Sequence, residues 1–342
     1  MSIAVEFDNV SIVFGSKPEL ALPLMDEMKE RPEIQLETGQ VLGVHDCNLS
    51  VGKGEILVLM GLSGSGKSTL IRAVNALNPV VRGAVRVNDG SQMVDVTNAD
   101  PKTLREMRQH KIAMVFQQFG LLPWRTVREN VGLGLELAGM PKAQRDAQVD
   151  KQLELVHLSD WAERKVGELS GGMQQRVGLA RAFATEAPIL LMDEPFSALD
   201  PLIRTRLQDE LLDLQRELKR TIIFVSHDLD EAFKLGDRIA IMEGGRIVQI
   251  GTPQDIYSDP INEYVADFVA HMNPLGVLCA RDLIEPATTT PEITVDADVD
   301  VRAVMEKFGR AETPIVGVVE DGRLIGQIST DRILAKLCNP RS

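Results

Sequence analysis

The chain has 342 residues, enough for two domains or for one large domain with an appendage. Its 44% hydrophobic and 25% charged residues are ordinary for a folded soluble protein, and its formal net charge of −13 argues against bulk attraction to nucleic acid or anionic lipid. We find no secretion signal and no run near the roughly 18 apolar residues that span a bilayer. We therefore expect a cytoplasmic protein, for which any transport role would need another chain to supply the membrane path.

The three cysteines, Cys47, Cys279 and Cys338, are odd in number and lack metal-ligand spacing. This pattern predicts reduced buried or surface thiols rather than disulfides or a metal site.

The first elements alternate between apolar and polar residues or carry helical character. Residues 3–14 and 41–51 predict strands, and the charged stretch 17–40 between them leans towards helix. Short apolar runs further along predict buried strands, which helical patterns separate; the runs are 55–60, 112–116, 189–193 and 221–226. Such alternation predicts an α/β fold with a mainly parallel sheet covered on both faces. Residues 120–185 hold most of a helical insertion.

The clearest helix follows residue 200. Asp200 and Pro201 are suited to an N-cap and a first-turn proline. Behind them, one apolar stripe is formed by Ile203, Leu207, Leu211, Leu214 and Leu218.

The pattern weakens at 271–290, which we interpret as a linker. Beyond it, 299–308 predicts a helix, two strands flank the turn at 320–323, and a last helix follows. So small a unit buries little surface alone and is expected to pack against another copy.

Residues 61–69, GLSGSGKST, fit the phosphate-binding pattern G-x-x-x-x-G-K-[ST] between a strand and a helix. The glycines let backbone N–H groups turn towards phosphates, Lys67 would neutralise phosphate charge, and Ser68 would bind Mg²⁺. The candidate nucleotide ligands of this loop are Gly61, Ser63, Gly64, Ser65, Gly66, Lys67, Ser68 and Thr69.

Polar residues follow three other predicted strands. Asp193 would hold Mg²⁺ and the neighbouring Glu194 would orient or deprotonate the attacking water. His227 would contact the γ-phosphate or position the water. Gln117 would touch both the metal and the water, although Gln118 stands beside it. The alternatives are acids that cap the next turn for Asp193 and Glu194, a structural histidine for His227, and a polar strand-end residue for Gln117.

A second anion site is predicted at LSGGMQQR, residues 169–176, where Ser170, Gly171 and Gly172 precede a helix. One chain rarely needs two such sites for one γ-phosphate. Two chains placed head to tail do need both, because each chain contributes one half of each nucleotide site. Phe14 is a candidate for stacking on adenine, with a core aromatic as the alternative.

In this order, the phosphate loop, Gln117, the 169–176 signature, the Asp193-Glu194 pair, the 197–200 turn and His227 resemble an ATP-binding-cassette (ABC) ATPase subunit. The resemblance covers roughly residues 1–270. The insert at 17–40 and the stretches around the motifs are similar to the subfamily that imports glycine betaine, choline and proline betaine, with the choline importers most alike. Many ABC proteins have glutamine at the position of Met173, and the methionine here is a departure that resembles this subfamily.

The resemblance implies an ABC domain over 1–270 with a RecA-like mainly parallel core, an antiparallel β part and a helical subdomain at about 120–185. It implies ATP and Mg²⁺ as ligands, with Asp200 near the nucleotide, and a head-to-tail dimer of the chain. It also implies transmembrane permease subunits, docked in part at 117–125, an extracytoplasmic substrate-binding protein, and a place at the cytoplasmic face of the bacterial inner membrane. No nucleic-acid partner is implied.

The tail, 291–338, resembles a single cystathionine-β-synthase-type (CBS) module of α+β class. Gly326 and Ser329 match part of an adenosine-binding pattern, but Arg332 stands where the ribose-binding acid would be. We favour a dimer-contact or degenerate regulatory module over an ionic-strength sensor.

Two other functions stay open at this point. A soluble ABC ATPase acting on nucleic acid or ribosomes usually has two cassettes or a long coiled coil, and neither is visible here. A regulatory protein that no longer hydrolyses ATP is disfavoured by the intact Lys67, Asp193, Glu194 and His227.

Overall fold

The computed structural model describes residues 2–197, 199–270, 277–288, 291–308 and 315–338. Two compact units are present. One comprises Met1–His227 with Ala240–Val248, and the other comprises Asp228–Ile239 with Gln249–Ser342. Among the described residues, none of the helices combines the length and the apolar character needed to cross a bilayer.

The elements alternate along the chain as the sequence predicts. The strands are β1 (Ile3–Phe14), β2 (Val41–Gly52), β3 (Ile56–Met60), β4 (Arg82–Asn88), β5 (Met93–Asp95), β6 (Ile112–Val115), β7 (Ile189–Asp193), β8 (Thr221–Val225), β9 (Arg238–Glu243), β10 (Arg246–Gly251), β11 (Thr294–Asp296), β12 (Ile315–Glu320) and β13 (Arg323–Ser329). The α-helices are α1 (Leu22–Asp26), α2 (Arg31–Thr38), α3 (Lys67–Ile71), α4 (Pro101–His110), α5 (Val127–Val131), α6 (Leu133–Leu137), α7 (Lys142–Leu155), α8 (Gly171–Ala184), α9 (Pro201–Leu218), α10 (Leu229–Leu235), α11 (Pro253–Ser258), α12 (Glu263–Val269), α13 (Val301–Phe308) and α14 (Thr330–Cys338).

A six-stranded sheet carries the centre of the first unit, in the order β10-β9-β3-β8-β7-β6. Strands β3, β8, β7 and β6 pair in parallel, and every residue of β3, β7 and β8 is buried. The apolar runs at 55–60, 189–193 and 221–226 are thus confirmed as central strands. Parallel pairing places the carboxyl ends of these strands at one edge, where ligands of open α/β sheets bind.

A separate antiparallel sheet has the order β2-β1-β4-β5. Its two longest strands pair so that Phe14 lies opposite Val41, which brings the two ends of the 17–40 insert together. The predicted helical character of the insert is confirmed by a short 3₁₀ helix (Pro18–Ala21), α1 and α2.

Helices α5, α7 and α8 pack around a cluster of their own, which explains the helical pattern of this stretch. The buried members include Val131, Leu153 and Val177, all at most 1% exposed.

Helix α9 starts as predicted, because the Asp200 side chain accepts a hydrogen bond from the Ile203 N–H (3.1 Å). Leu207 and Leu211 are buried, as the stripe requires, but Leu218 in the last turn is 47% exposed. Leu218 nevertheless lines the same cavity as Leu211, so both lie on the face that the stripe predicts. The side chain of Leu214 lies outside the described residues.

The second unit contains a three-stranded sheet, β11-β12-β13, with α13 and α14 against it, which confirms the predicted helix–strand–strand–helix order. The turn between β12 and β13 places Asp321 and Gly322 at positive φ. In the stretch interpreted as a linker, residues 277–285 pair with this sheet region through the bridges Cys279–Asp300 and Glu285–Gln327. Residues 271–276, 289 and 290 lie outside the described part.

Candidate nucleotide-binding site

The phosphate loop leaves the buried end of β3 and enters α3 at Lys67. Gly61 has φ +139, and a Cβ there would lie 2.1 Å from the Met242 carbonyl oxygen. Gly66, the N-cap residue, has φ +105, and its Cβ would lie 2.7 Å from the Gly43 oxygen. Both positions therefore need glycine for backbone angle and for space.

Lys67 is 5% exposed, and its ammonium lies inside the loop. The Nζ atom donates to the carbonyls of Gly61 (2.8 Å) and Leu62 (3.0 Å). Burial lowers the pKa of Lys67, whereas the carboxylates of Glu194 and Asp193 favour its charged form. A cation thus stands where the loop would receive phosphate.

Asp193 ends β7 with a fully buried carboxylate. One oxygen accepts a hydrogen bond from the Ser68 hydroxyl (2.7 Å), and the other accepts one from the Arg72 guanidinium (2.7 Å). Sequence reasoning brought Ser68 and Asp193 to one metal site, and the fold places them in contact. It missed Arg72, for which the only signal was its position one turn after Ser68.

Glu194 follows in the left-handed region, with φ +50. Its N–H donates to the Val225 carbonyl (3.1 Å), which fixes the backbone against β8. Its Oε2 atom accepts a hydrogen bond from Gln117 Nε2 (3.1 Å) and lies 3.3 Å from His227 Nδ1. The three candidate catalytic side chains follow β6, β7 and β8, and two of them, Gln117 and His227, meet at one carboxylate oxygen of the third, Glu194.

Lys67, Gln117 and Glu194 line a cavity of about 400 Å³. Its lining residues are Phe14, Arg31, Gln35, Val41, Leu42, Gly43, Ser63, Gly64, Gly66, Lys67, Ser68, Thr69, Gln117 and Glu194. Phe14 is 39% exposed at the cavity wall, so it is not a fully buried core aromatic. Gly61, Ser65, Asp193 and His227 support the cavity without lining it.

Two lining residues, Arg31 and Gln35, come from the insert and were missed by sequence reasoning. A larger cavity of about 590 Å³, between α7, α9 and the end of α8, is lined by none of the predicted site residues. Chemistry rather than size identifies the site.

The signature residues lie elsewhere. Ser170 is the N-cap of α8, and its hydroxyl accepts a hydrogen bond from the Met173 N–H (3.4 Å). Gly171 has open space where a Cβ would stand. None of Ser170, Gly171 and Gly172 lines the cavity, and neither does Asp200, which caps α9. Ala198, in the turn before Asp200, lies outside the described residues.

The segment after Gln117 is tied to α8. Phe119 and Gly120 both have positive φ, and their carbonyls accept hydrogen bonds from the Arg181 guanidinium (2.6 and 2.7 Å). Burial lowers the pKa of Arg181. Further along, Asn130 is fully buried and holds the Leu122 backbone at both its N–H (2.8 Å) and its carbonyl (3.1 Å). Sequence reasoning assigned no role to Arg181 or Asn130.

Comparison with known proteins gives consistent matches. Residues 44–197 match the ABC transporter family. The chain is 44% identical, over 98% of its length and 83% of the relative, to a glycine betaine/proline betaine transport ATP-binding protein of Escherichia coli. It is 48% identical to a glycine betaine transport ATP-binding protein of Bacillus subtilis, over 84% of this chain and 68% of the relative. A choline transport ATP-binding protein of the same species is 38% identical, over 82% and 72% of the two chains.

Among solved structures, a bacterial ABC transporter cassette determined as a dimer matches with a TM-score of 0.63 and 29% identity. The match covers 72% of this chain and 98% of that one. A second structure of that cassette, in a post-hydrolysis state with ADP and phosphate, matches with the same TM-score and 30% identity.

Proposed function

Because this chain belongs to the ATP-binding subunits of ABC importers for glycine betaine and related quaternary amines, we propose that it is the ATP-hydrolysing motor of such an importer. The observation that carries the chemistry is the convergence of Gln117 and His227 on the Glu194 carboxylate beside the phosphate loop. Glu194 is the proposed general base.

In the proposed binding mode, the phosphates of ATP occupy the loop at 61–69, and Lys67 exchanges its carbonyl contacts for phosphate oxygens. Phe14, which lines the same cavity, is the proposed stacking partner of the adenine. Ser68 and Asp193 present a hydroxyl and a carboxylate within 2.7 Å of each other, and hard oxygen donors of this kind suit Mg²⁺. Bound there with Gln117, the ion would neutralise phosphate charge during transfer.

Hydrolysis then needs a water molecule aligned with the γ-phosphorus. Glu194 accepts a proton from this water as its oxygen bonds to phosphorus, the bond to the β-phosphate oxygen breaks, and ADP and phosphate leave. Gln117 and His227 hold one carboxylate oxygen from two sides, which restricts the rotation of the Glu194 side chain. The backbone of Glu194, which has a positive φ, is itself fixed by the hydrogen bond from its N–H to the Val225 carbonyl. The side chain therefore starts from a fixed position.

We propose that Ser170, Gly171 and Gly172 serve the nucleotide of a second copy of the chain, with Asp200 near the same junction. Their absence from the cavity lining supports this arrangement, because within one chain they have no nucleotide to contact. The dimeric form of the similar cassette supports it as well.

The membrane path is assigned to transmembrane permease subunits. The segment 117–125 would receive part of the permease, and Trp124, 69% exposed in this segment, offers an apolar contact. The chain would then sit at the cytoplasmic face of the cell membrane, and an extracytoplasmic substrate-binding protein would deliver the cargo. The two relatives described above that are named for glycine betaine are 44% and 48% identical, and the one named for choline is 38% identical. We therefore assign the cargo as a quaternary ammonium compound rather than as choline specifically.

A soluble ATPase acting on nucleic acid or ribosomes is not proposed. The relatives compared above are transport subunits, and the net charge of −13 opposes binding to a polyanion.

For the tail, we propose a single CBS-like module at 291–338 that contacts another copy, following an ABC domain over 1–270. The Ser329 hydroxyl donates to Glu285 (2.9 Å) and accepts from the Arg332 N–H (3.2 Å). A Cβ at Gly326 would meet the Ile284 side chain at 2.3 Å. Because Ile284 and Glu285 occupy the surroundings of both matching residues, adenosine binding at this place is disfavoured.

The test is uptake of labelled choline and labelled glycine betaine in cells that lack the gene but keep the partner proteins. Wild type should restore uptake of at least one of them, and Glu194→Gln should restore neither. Uptake supported equally by both chains would contradict the assigned chemistry, and no uptake with wild type would contradict the cargo class.

A further inference from the structure

The 17–40 insert reaches the phosphate loop through a single arginine. Arg31, at the start of α2, donates from Nη1 to the Gly64 carbonyl in the loop (2.6 Å) and from Nη2 to the Gly43 carbonyl in β2. One guanidinium thus joins three parts of the chain: the insert, the antiparallel sheet and the loop.

The insert is fixed where it supports this arginine. Ala21, Met25 and Ile34 are fully buried against Val13 and Leu42 of the antiparallel sheet. Its two ends are joined where the Gln40 side chain accepts a hydrogen bond from the Lys17 N–H (3.1 Å). Because three apolar anchors leave the water here, α2 can hold Arg31 in one place.

The guanidinium lies in a slot that glycines keep open. A Cβ at Gly245 would lie 2.5 Å from Arg31 Nη2, and one at Gly66 would lie 3.5 Å from it. Within the described residues Arg31 forms no ion pair with a carboxylate, and its Nε has no hydrogen-bond partner. Burial lowers the pKa of Arg31. A half-buried cation held only by carbonyls is unusual, because charged groups seldom leave water without a counter-charge.

The Gly64 contact fixes the plane of a peptide inside the loop. The N–H of the same peptide belongs to Ser65 and donates to the Leu62 carbonyl (3.1 Å), which also accepts from Lys67 Nζ (3.0 Å). Since a trans peptide is planar, fixing the direction of the Gly64 oxygen also fixes the opposite direction of the Ser65 N–H. Arg31 is therefore connected to Lys67 by a continuous chain of hydrogen bonds.

We propose that Arg31 is a positioning residue for nucleotide binding, through which the insert preorganises the phosphate loop and adds a positive charge at the cavity wall. This inference rests on the proposed function, since it assumes that the loop binds a nucleoside diphosphate or triphosphate. It assigns the insert a role in affinity for nucleotide rather than in the hydrolytic step.

The experiment measures ADP binding to the full-length chain by calorimetry, which separates affinity from turnover. Arg31→Gln removes both contacts and the charge, and Arg31→Lys keeps the charge but cannot hold both carbonyls in the same way. Lys29→Gln is the matched control, because Lys29 is in the same insert and pairs with Glu37 (2.6 Å) on its exposed side. The thermal midpoint without nucleotide is recorded for each chain.

We expect Arg31→Gln to raise the Kd for ADP roughly tenfold, because the loop is no longer held in its binding conformation and a positive charge near the phosphates is lost. Arg31→Lys should fall between Arg31→Gln and wild type, and Lys29→Gln should match wild type. In steady-state hydrolysis, KM for ATP should rise in Arg31→Gln while kcat stays within about twofold, since no interaction specific to the transition state is removed.

A Kd for Arg31→Gln within about twofold of the control would overturn the proposal, and so would a lower thermal midpoint with unchanged affinity, which indicates a purely structural role. If Arg31→Gln does not fold, Arg31→Lys takes its place, and wild-type affinity in that variant overturns the proposal. Wild type that binds no ADP at all would instead refute the proposed nucleotide function.

Discussion

Replacing Glu194 by glutamine tests the proposed chemistry most directly. The amide has nearly the shape of the carboxylate, so its oxygen can still accept a hydrogen bond from either Gln117 or His227, which both reach Oε2 in the native site. The amide cannot accept a proton from water. We therefore expect binding of nucleotide to survive and the hydrolytic step to slow.

The size of the effect follows from what is lost. A positioned general base contributes about 10²- to 10⁴-fold to a rate, which corresponds to roughly 2.7–5.4 kcal/mol of the activation barrier. The replacement also removes one negative charge beside the buried Asp193 and Lys67. A carboxylate repels the anionic phosphates, so its removal should leave the affinity for nucleotide undiminished.

The assay is phosphate release at saturating ATP, with ADP affinity and the ATP-dependent dimer followed in parallel. Glu6→Gln is the control, since Glu6 pairs with Arg86 (2.9 Å) on the antiparallel sheet and does not line the cavity. We expect an ATP-bound dimer to accumulate with Glu194→Gln alone. Phosphate release within about threefold of wild type would refute the assignment of Glu194 as the base.

Three further outcomes are expected. Ser170→Arg should abolish hydrolysis and leave the ADP affinity of the monomer unchanged in calorimetry, because the proposed partner of Ser170 is the nucleotide of another copy. Lost affinity would contradict the head-to-tail arrangement. Truncation after residue 270 should leave basal phosphate release within about twofold of wild type. The segment 277–285 is removed together with the sheet region to which it is bridged, so neither bridge is left with one side missing. A folded but inactive core would show that the tail is part of the motor. Burial raises the pKa of the Cys47 thiol to about 12, from 9.0 in the unfolded chain, so native Cys47 should resist iodoacetamide at pH 8. Rapid labelling of Cys47 in the native protein, followed by mass spectrometry, would contradict this burial. For the same reason, the contribution of the protonated Cys47 thiol to the free energy of unfolding is complete below pH 9 and is lost as the pH rises from 9 to 12.

The parts of the site that the sequence could predict are those that depend on neighbours in the chain. A buried apolar run followed by a fixed polar residue predicted Asp193, Glu194 and His227 at strand ends, because parallel strands bring such ends to one edge. The glycine pattern likewise predicted the loop at 61–69. Strand pairing then completes the arrangement that the motifs imply.

The arginines could not be predicted in this way. Arg31 binds a carbonyl 33 residues away, and Arg181 binds one 62 residues away. An arginine that donates to backbone carbonyls selects no particular side chain in its partner, so no sequence pattern marks the pair. Leu218 shows a related limit, because helical spacing predicts which residues share a face but not how deeply each is buried.

The two bonds from Arg181 make the backbone at 119–120 an extension of helix α8. The side chain that reaches Glu194 stands only two residues before this junction, while Ser170 stands at the other end of the same helix. In the proposed head-to-tail dimer, a rotation of α8 would displace Gln117 and Ser170 together, and would so connect the side chain beside Glu194 in one ATP site with the helix proposed to serve the other site. Timing between two ATP sites would, on this account, be set by the stiffness of one helix and the strength of two hydrogen bonds.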